Sequence, residues 1–317
     1  MKRAVAFILM ILVITTALTA ALAENSDEEL AARFAGQTLE YNGKTYKARN
    51  RLETMLLIGT DERENPVYDD DTFTYAQADF LMLMVIDDDD KIITPIRINR
   101  DTMTTITAYS QFHTNPRDAV AQIALAFAMG EDFEEGAELT CKAVSGMFDG
   151  ASVDHYYVLN MDGIPALNDS IGGVTLTLNE DFTSFDPTMV KGETMTLKGE
   201  QAYMFLRYRF GVGDESNVSR MERQKIYMDA AKPILVSRLE NNPNSFGDLY
   251  ESLQDYATTD MSKGRIINLA AKVQRYEVLD SLAIEGESKI GLNDYMEFRP
   301  DESSLMEVLL KVFYKET

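Results

Sequence analysis

The chain has 317 residues, 45% apolar and 9% aromatic, which is enough to bury one large core and excludes a disordered or collagen-like polymer. Asp and Glu outnumber Lys and Arg 52 to 30, for a formal net charge of −22. That balance argues against nucleic-acid binding, since clustered Lys and Arg supply most of the affinity for phosphate backbones. The single cysteine, Cys141, excludes an intrachain disulfide.

In chain order, Met1-Lys2-Arg3 leads into uncharged residues from Ala4 to Ala23, enough helix to cross a ~30 Å hydrocarbon core. This segment reads as an export signal. Ala21-Leu22-Ala23 before Glu24 resembles a small-residue cleavage site, while the length also suits a retained anchor. Either way, the chain after Glu24 is expected outside the membrane.

Residues 24–50 are polar and read as a linker holding a small hairpin, Leu39–Tyr41 and Lys44–Lys47 around an Asn42-Gly43 turn. Thr54–Gly59, Phe80–Ile86 and Lys91–Ile98 read as strands, the last two joined by the acidic turn Asp87–Asp90. If those two form a hairpin, Asp79 at the start of one and Asn99-Arg100-Asp101 at the end of the other share a sheet edge. A first strand parallel to the third brings Asp61 and Arg63 to that edge too, where open α/β sheets bind ligands.

Ala119–Ala128 and Glu138–Met147 carry helical patterning. Asp154–Asn160 reads as a strand, Ile164–Ser170 as a short helix and Val174–Leu178 as a strand after Gly172-Gly173. A long helix is expected from Ser219, with Ser219 and Glu222 spaced as a capping box and Pro233 as a kink. Residues 236–317 alternate helix and short strand without a Pro/Gly/Ser linker, and read as an extension packed on the main domain.

The stretch LRYRFGVGDESNVSRMERQ, residues 206–224, gathers Arg207, Arg209, Arg220 and Arg223 in an otherwise acidic chain. In a helix from Ser219, Arg220, Arg223, Gln224 and Tyr227 share one face. Cations in a first turn oppose the helix dipole by ~0.3–1 kcal/mol each, unless an anion lies between them and the free amides. Arg207 and Arg209, two apart in a segment read as extended, would close on that anion from one side. The planar fork of arginine suits phosphate oxygens. The alternative is a solvated face, with the arginines paired to Asp214, Glu215 and Glu222.

Asp61 and Asp79 divide in the same way. Singly each reads as a cap or turn residue; together, beside arginines, they read as ligands of Mg²⁺, which takes one or two carboxylates plus substrate phosphates. His113 and His155 lack metal-ligand spacing, and GxxxxGK[ST], GxSxG and HExxH do not occur.

MLLIGTDER (Met55–Arg63), QADFLMLMVI (Gln77–Ile86), INRDTM (Ile98–Met103), GAELTCKAV (Gly136–Val144), DHYYVLNMDG (Asp154–Gly163), IGGVTLTL (Ile171–Leu178), KGEQAYMFLRYR (Lys198–Arg209) and SRMERQ (Ser219–Gln224) occur in that order. Over roughly residues 50–235 the chain therefore resembles a LytR-CpsA-Psr protein. The resemblance implies an α/β/α sandwich with a central mixed β-sheet, preceded by one N-terminal transmembrane or signal helix. The implied division is a signal anchor or signal peptide at 1–23, a linker at 24–50, the catalytic domain at 51–235 and the extension at 236–317.

It further implies a single-pass membrane protein with its catalytic domain outside the cell, or a secreted one if the leader is cut at Ala23. Such a protein moves a glycopolymer of teichoic acid or capsular polysaccharide type from undecaprenyl pyrophosphate to a peptidoglycan hydroxyl. One phosphate is kept as the linkage, and a hydrophobic pocket holds the polyprenyl chain. Carried onto this chain, Asp61 and Asp79 would hold Mg²⁺, and Arg100, Arg207, Arg209, Arg220 and Gln224 would surround the pyrophosphate. Arg63, Asp101 and Arg223 would orient them.

Two positions depart from the family pattern. Gln77 stands where an arginine is usual, which removes a phosphate contact. Asn217 stands where an aspartate could act as base, and asparagine cannot take the proton; Asp214, three residues earlier, is the substitute. Two other readings use the same residues: a non-catalytic binder of polyprenyl-phosphate lipids, and a pyrophosphatase acting on the same lipid with water as acceptor.

Overall fold

The computed structural model describes residues 37–60, 76–110, 114–241, 251–273, 275–291 and 294–317. The leader, Asp61, Arg63 and His113 lie outside the described residues. Among the described residues, no helix is long and apolar enough to cross a membrane.

β1 (Thr38–Tyr41) and β2 (Lys44–Ala48) form the hairpin expected from Asn42-Gly43, both of which take positive φ, 50° and 74°. β3 (Leu52–Thr60), β4 (Ala78–Asp87) and β5 (Ile92–Ile98) pair antiparallel in series, so β3 and β5 run the same way with β4 between them. Their nearly continuous apolar runs reflect burial on both faces.

β6 (Met103–Ser110) and β7 (Thr114–Gln122) make a separate antiparallel ribbon, followed by the single turn α1 (Ala124–Phe127). The helix expected over 119–128 is therefore corrected. Ala119, Val120 and Ala121 are strand, paired with Ile106, Thr105 and Thr104. The β-branched run on β6 offers a ladder whose pairing outweighs the helical preference of the alanines.

α2 (Phe133–Met147) starts earlier than the sequence pattern indicated, because the Asp132 carboxylate accepts the N–H of Glu135 and caps it. β8 (His155–Asn160) lies parallel to β3. α3 (Gly163–Ser170), the ribbon of β9 (Val174–Thr177) with β10 (Thr194–Leu197), α4 (Glu200–Arg207) and α5 (Asn217–Asn241) follow. Two expectations change here. Arg207 is the last residue of α4, not extended, because Ala202 and Phe205, three apart, seat one helical face in the core. The start of α5 is capped by Ser216, whose Oγ accepts the N–H of Ser219 at 3.0 Å, so Ser219 lies inside the helix. The helix runs on through Pro233.

The C-terminal segments complete the sheet. After them in order come β11 (Ala257–Thr259), α6 (Lys263–Val273), β12 (Glu277–Val278), β13 (Leu282–Ala283), β14 (Gly286–Ile290), β15 (Met296–Pro300), α7 (Glu302–Phe313) and β16 (Tyr314–Glu316). β11 joins β8 antiparallel, while β12 and β13 join β5 parallel, giving the order β11-β8-β3-β4-β5-β12 with β13 also on β5. β16 pairs with β2.

Helices cover both faces of this mixed sheet. Met55, Leu57, Met82, Met84 and Tyr157 pack with Leu167, Phe205, Tyr227 and Ile266 of α3 to α6. Leu56, Ile58, Leu81, Leu83 and Val158 pack with Ala143 and Val144 of α2 and with Val308 and Leu309 of α7.

Candidate active site: a carboxylate held by three guanidiniums

Strand direction brings the site together. Thr60 at the end of β3 pairs with Ala78, the residue before Asp79, and Leu81 pairs with Ile98, two residues before Arg100. The end of β3, the start of β4 and the end of β5 thus share one end of the sheet. Asp61 follows Thr60 in sequence and lies outside the described residues, as does Arg63.

The Asp79 carboxylate, with its side chain 1% exposed, is the hub. Arg100 donates from Nη1 to Oδ1. Arg220, in the first turn of α5, donates from Nη1 to Oδ2 at 2.8 Å and from Nη2 to the Asp79 carbonyl at 3.2 Å. Arg207, at the end of α4, brings Nη1 to 3.4 Å from Oδ2. Asp79 is thus the anion that the first-turn arginine of α5 requires beside the helix dipole. Arg100 also donates from Nη2 to Gln77 Oε1, so the glutamine at this position supports the guanidinium instead of facing a phosphate.

Asp101 lies beside the hub, with Oδ1 3.4 Å from Arg100 Nε and accepting from Gln122 Nε2 at 3.2 Å. Burial pushes its carboxyl above the usual range, against the pull of Arg100, Arg209 and Arg220. Arg209 faces Asp101 electrostatically, and its guanidinium carbon lies 5.3 Å from the centre of the Phe210 ring. Around this point Arg100, Arg207 and Arg220 meet Asp79, and Arg100, Arg209 and Arg220 act electrostatically on Asp101. Guanidiniums gathered at one place, with their planar forks, suit the paired oxygens of a phosphorylated ligand.

The remaining expected residues act differently. Arg223 is fully buried and faces backbone: Nε donates to Phe205 O at 2.9 Å, Nη2 to Tyr208 O and Nη1 to Ser219 Oγ at 3.4 Å. It therefore binds the C-terminal carbonyls of α4 and sets the direction of Arg207. Burial lowers its pKa to about 10. Gln224 donates to Leu206 O at 3.5 Å and borders two cavities. Asp214 is not brought to the hub. Its carboxylate accepts the Oγ–H and N–H of Ser216 at 2.7 and 3.0 Å, which holds it below the ordinary carboxylate range and fixes the loop before α5. That loop needs Gly213 at φ 56°, where a Cβ would lie 2.8 Å from the Glu180 carboxyl carbon.

One cavity, of about 110 Å³, is apolar and is enclosed by Leu57, Tyr157, Leu159, Ile164, Leu206 and Tyr227. A larger one, of about 430 Å³, begins at Asp79 and Arg100 and runs between β5 and α5. Phe80, Gln224 and Met228 border both. The larger cavity is also lined by Arg97, a residue that no motif in the sequence marks.

Among the described residues, no group of three or more His, Cys, Asp or Glu could hold a metal ion. Both oxygens of Asp79 carry guanidiniums, and Asp61, the other residue expected to hold Mg²⁺, lies outside the described residues.

The strand ends of an open α/β sheet, where such sheets bind ligands, thus meet an arginine-rich site with an apolar cavity alongside. Residues 11–312 match the LytR_cpsA_psr family, and the chain belongs to it. It is 25% identical over 251 residues to the polyisoprenyl-teichoic acid–peptidoglycan teichoic acid transferase TagU of Halalkalibacterium halodurans, covering 78% of this chain and 74% of that protein. Two solved structures share the fold. One is protein gbs0355 of Streptococcus agalactiae, with TM-score 0.66 and 22% identity over 82% of this chain and 86% of that one. The other is TagT bound to LI-WTA, with TM-score 0.61 and 20% identity over 82% and 89%.

Proposed function

We propose that this protein transfers a glycopolymer from a polyprenyl diphosphate carrier to a peptidoglycan hydroxyl, outside the membrane and behind the apolar leader Ala4–Ala23. The observation that carries the reading is the Asp79 hub, where Arg100, Arg207 and Arg220 from three parts of the chain converge beside an apolar cavity. The names of the TagU relatives support the donor and acceptor classes.

The guanidiniums of the hub grip the oxygens of a bound diphosphate. Arg207 and Arg220 approach from one side of Asp79 and Arg100 from the other, so the diphosphate is oriented by groups already fixed in place. The acceptor hydroxyl attacks the phosphorus next to the sugar. The bond from that phosphorus to the bridging oxygen breaks, the polyprenyl monophosphate leaves, and one phosphate stays between polymer and acceptor. Such transfers depend mainly on in-line placement and neutralisation of developing charge, which the arginines supply. A base contributes less, typically 10²–10⁴-fold. Asp79 together with Asp61 would hold Mg²⁺ once a diphosphate is present, and the bound ion would neutralise charge on the phosphate oxygens.

The test is transfer from a synthetic polyprenyl-diphosphate donor to peptidoglycan by the purified chain, with Arg207→Ala alongside. Arg207→Ala should lose transfer while the fold is retained. Equal turnover in the two proteins refutes the site. Lipid binding without any product identifies a non-catalytic binder, and free phosphorylated polymer identifies a pyrophosphatase.

A further inference from the structure

We propose that the larger cavity recognises anionic charge on the glycan of the donor, and that Arg97 is its principal contact. The inference rests on the transferase reading and adds the class of polymer accepted.

Arg97 lies on β5 opposite Met82, between Ile96 and Ile98, whose side chains pack on the other face of the sheet. The alternation of a strand therefore turns Arg97 toward α5 and into the cavity. It is half-buried, and its buried Nε has no hydrogen-bond partner among the described residues. No carboxylate among them forms an ion pair with it either, in a chain whose net charge is −22. A guanidinium nitrogen buried without an acceptor is a standing cost to the fold. A ligand supplied from outside accounts for it.

The neighbours point the same way. Lys225 and Lys232, both on α5, line the cavity with Arg97. Asp229 answers Lys225 at 3.0 Å, and Asp280 is the other carboxylate beyond the Asp79 cluster, so three cations face two anions. The opposite wall, Val278–Ser281, comes from the C-terminal segments, which gives that part of the chain a place in recognition.

Position decides the occupant. A carrier diphosphate has two arms, one prenyl and one sugar. Both cavities meet at Phe80 and Gln224, but only the larger includes Asp79 and Arg100 in its lining. The apolar cavity suits the prenyl arm. The cation-lined one suits the sugar arm, with the flat fork of Arg97 gripping a phosphodiester or carboxylate on the first sugars.

The experiment measures calorimetric Kd values of the full chain for three soluble probes: farnesyl diphosphate, farnesyl-diphospho-N-acetylglucosamine, and the same donor extended by a sugar bearing glycerol phosphate. Arg97→Gln and Lys232→Gln are compared with the wild type. Arg97→Gln should weaken the glycerol-phosphate donor about tenfold or more and the other two by less than twofold. Its Tm should be unchanged or raised, since the unmatched charge is gone. Lys232→Gln should weaken the same donor to a smaller degree.

A uniform loss across all three probes would place Arg97 in the diphosphate site and overturn the proposal. Unaltered affinity for the glycerol-phosphate donor would overturn it as well, while leaving the transferase reading intact. Failure of the wild type to bind any of the three probes would bring down that reading and this one together.

Discussion

Arg220 sets its Nη1 2.8 Å from Oδ2 of Asp79 across 141 positions of sequence, and both side chains are only 1% exposed. The contact joins the first turn of α5 to the start of β4, so one ion pair fixes a helix against the edge of the sheet. Removing one partner of such a pair costs more than the pair itself contributes, since the other charge stays buried.

Asp79→Asn should therefore destabilise the fold by ~3–5 kcal/mol, read from urea denaturation. Farnesyl diphosphate should restore part of the loss by supplying the missing negative charge. A loss below ~1 kcal/mol would mean that the three guanidiniums are held by something other than Asp79.

Arg223 touches carbonyls instead of the cluster, so its effect should pass through Arg207. Arg223→Lys keeps the charge but gives up the fork that spans Phe205 O and Tyr208 O. We expect kcat to fall about tenfold or more with KM nearly constant, as for a lost transition-state alignment. Full activity in the lysine variant would show that charge alone suffices.

His155 supplies a pH dependence remote from the site. Burial lowers its pKa, but the Asp260 carboxylate, 2.8 Å from Nδ1, raises it with help from Glu53, and the net direction is upward. A histidine raised on folding stabilises fully below its unfolded value of about 6.5, and that contribution fades as pH climbs through the folded value. His155→Gln should thus lower Tm clearly at pH 5.5 and hardly at pH 9. A Tm difference that does not vary across this range would overturn the assignment.

Divalent-cation binding should depend on the carrier. Because both oxygens of Asp79 hold guanidiniums, Mn²⁺ alone should bind weakly, and farnesyl diphosphate should increase its affinity about tenfold or more. Paramagnetic relaxation of water protons reads this without turnover. Tight Mn²⁺ binding to the protein alone would show that the arginines release Asp79 unaided.

Much of this arrangement was legible from local pattern. The apolar runs at Thr54–Gly59 and Phe80–Ile86 are strands, and their directions follow from the Asp87–Asp90 turn, which was enough to bring Asp79 and Arg100 to one edge. The i, i+3, i+4, i+7 spacing put Arg220, Arg223 and Tyr227 on one face, and that face is the buried one. What escaped depends on distant partners. Ala119–Ala121 became strand because β6 lies beside them, and Arg207 ended a helix because Phe205 found a place in the core. Arg97 looks like any polar residue in a strand; only three dimensions reveal that no carboxylate among the described residues comes to meet it.

The borders of the central sheet have a further consequence. β8 and β5 are sealed by β11 and by β12 with β13, which the ribosome makes long after the strands they protect. Until those late segments arrive, two hydrogen-bonding rims stand open to any passing chain. Nascent molecules should therefore be prone to strand-mediated clumping, and a chaperone that shields bare backbone would raise the yield of properly folded product.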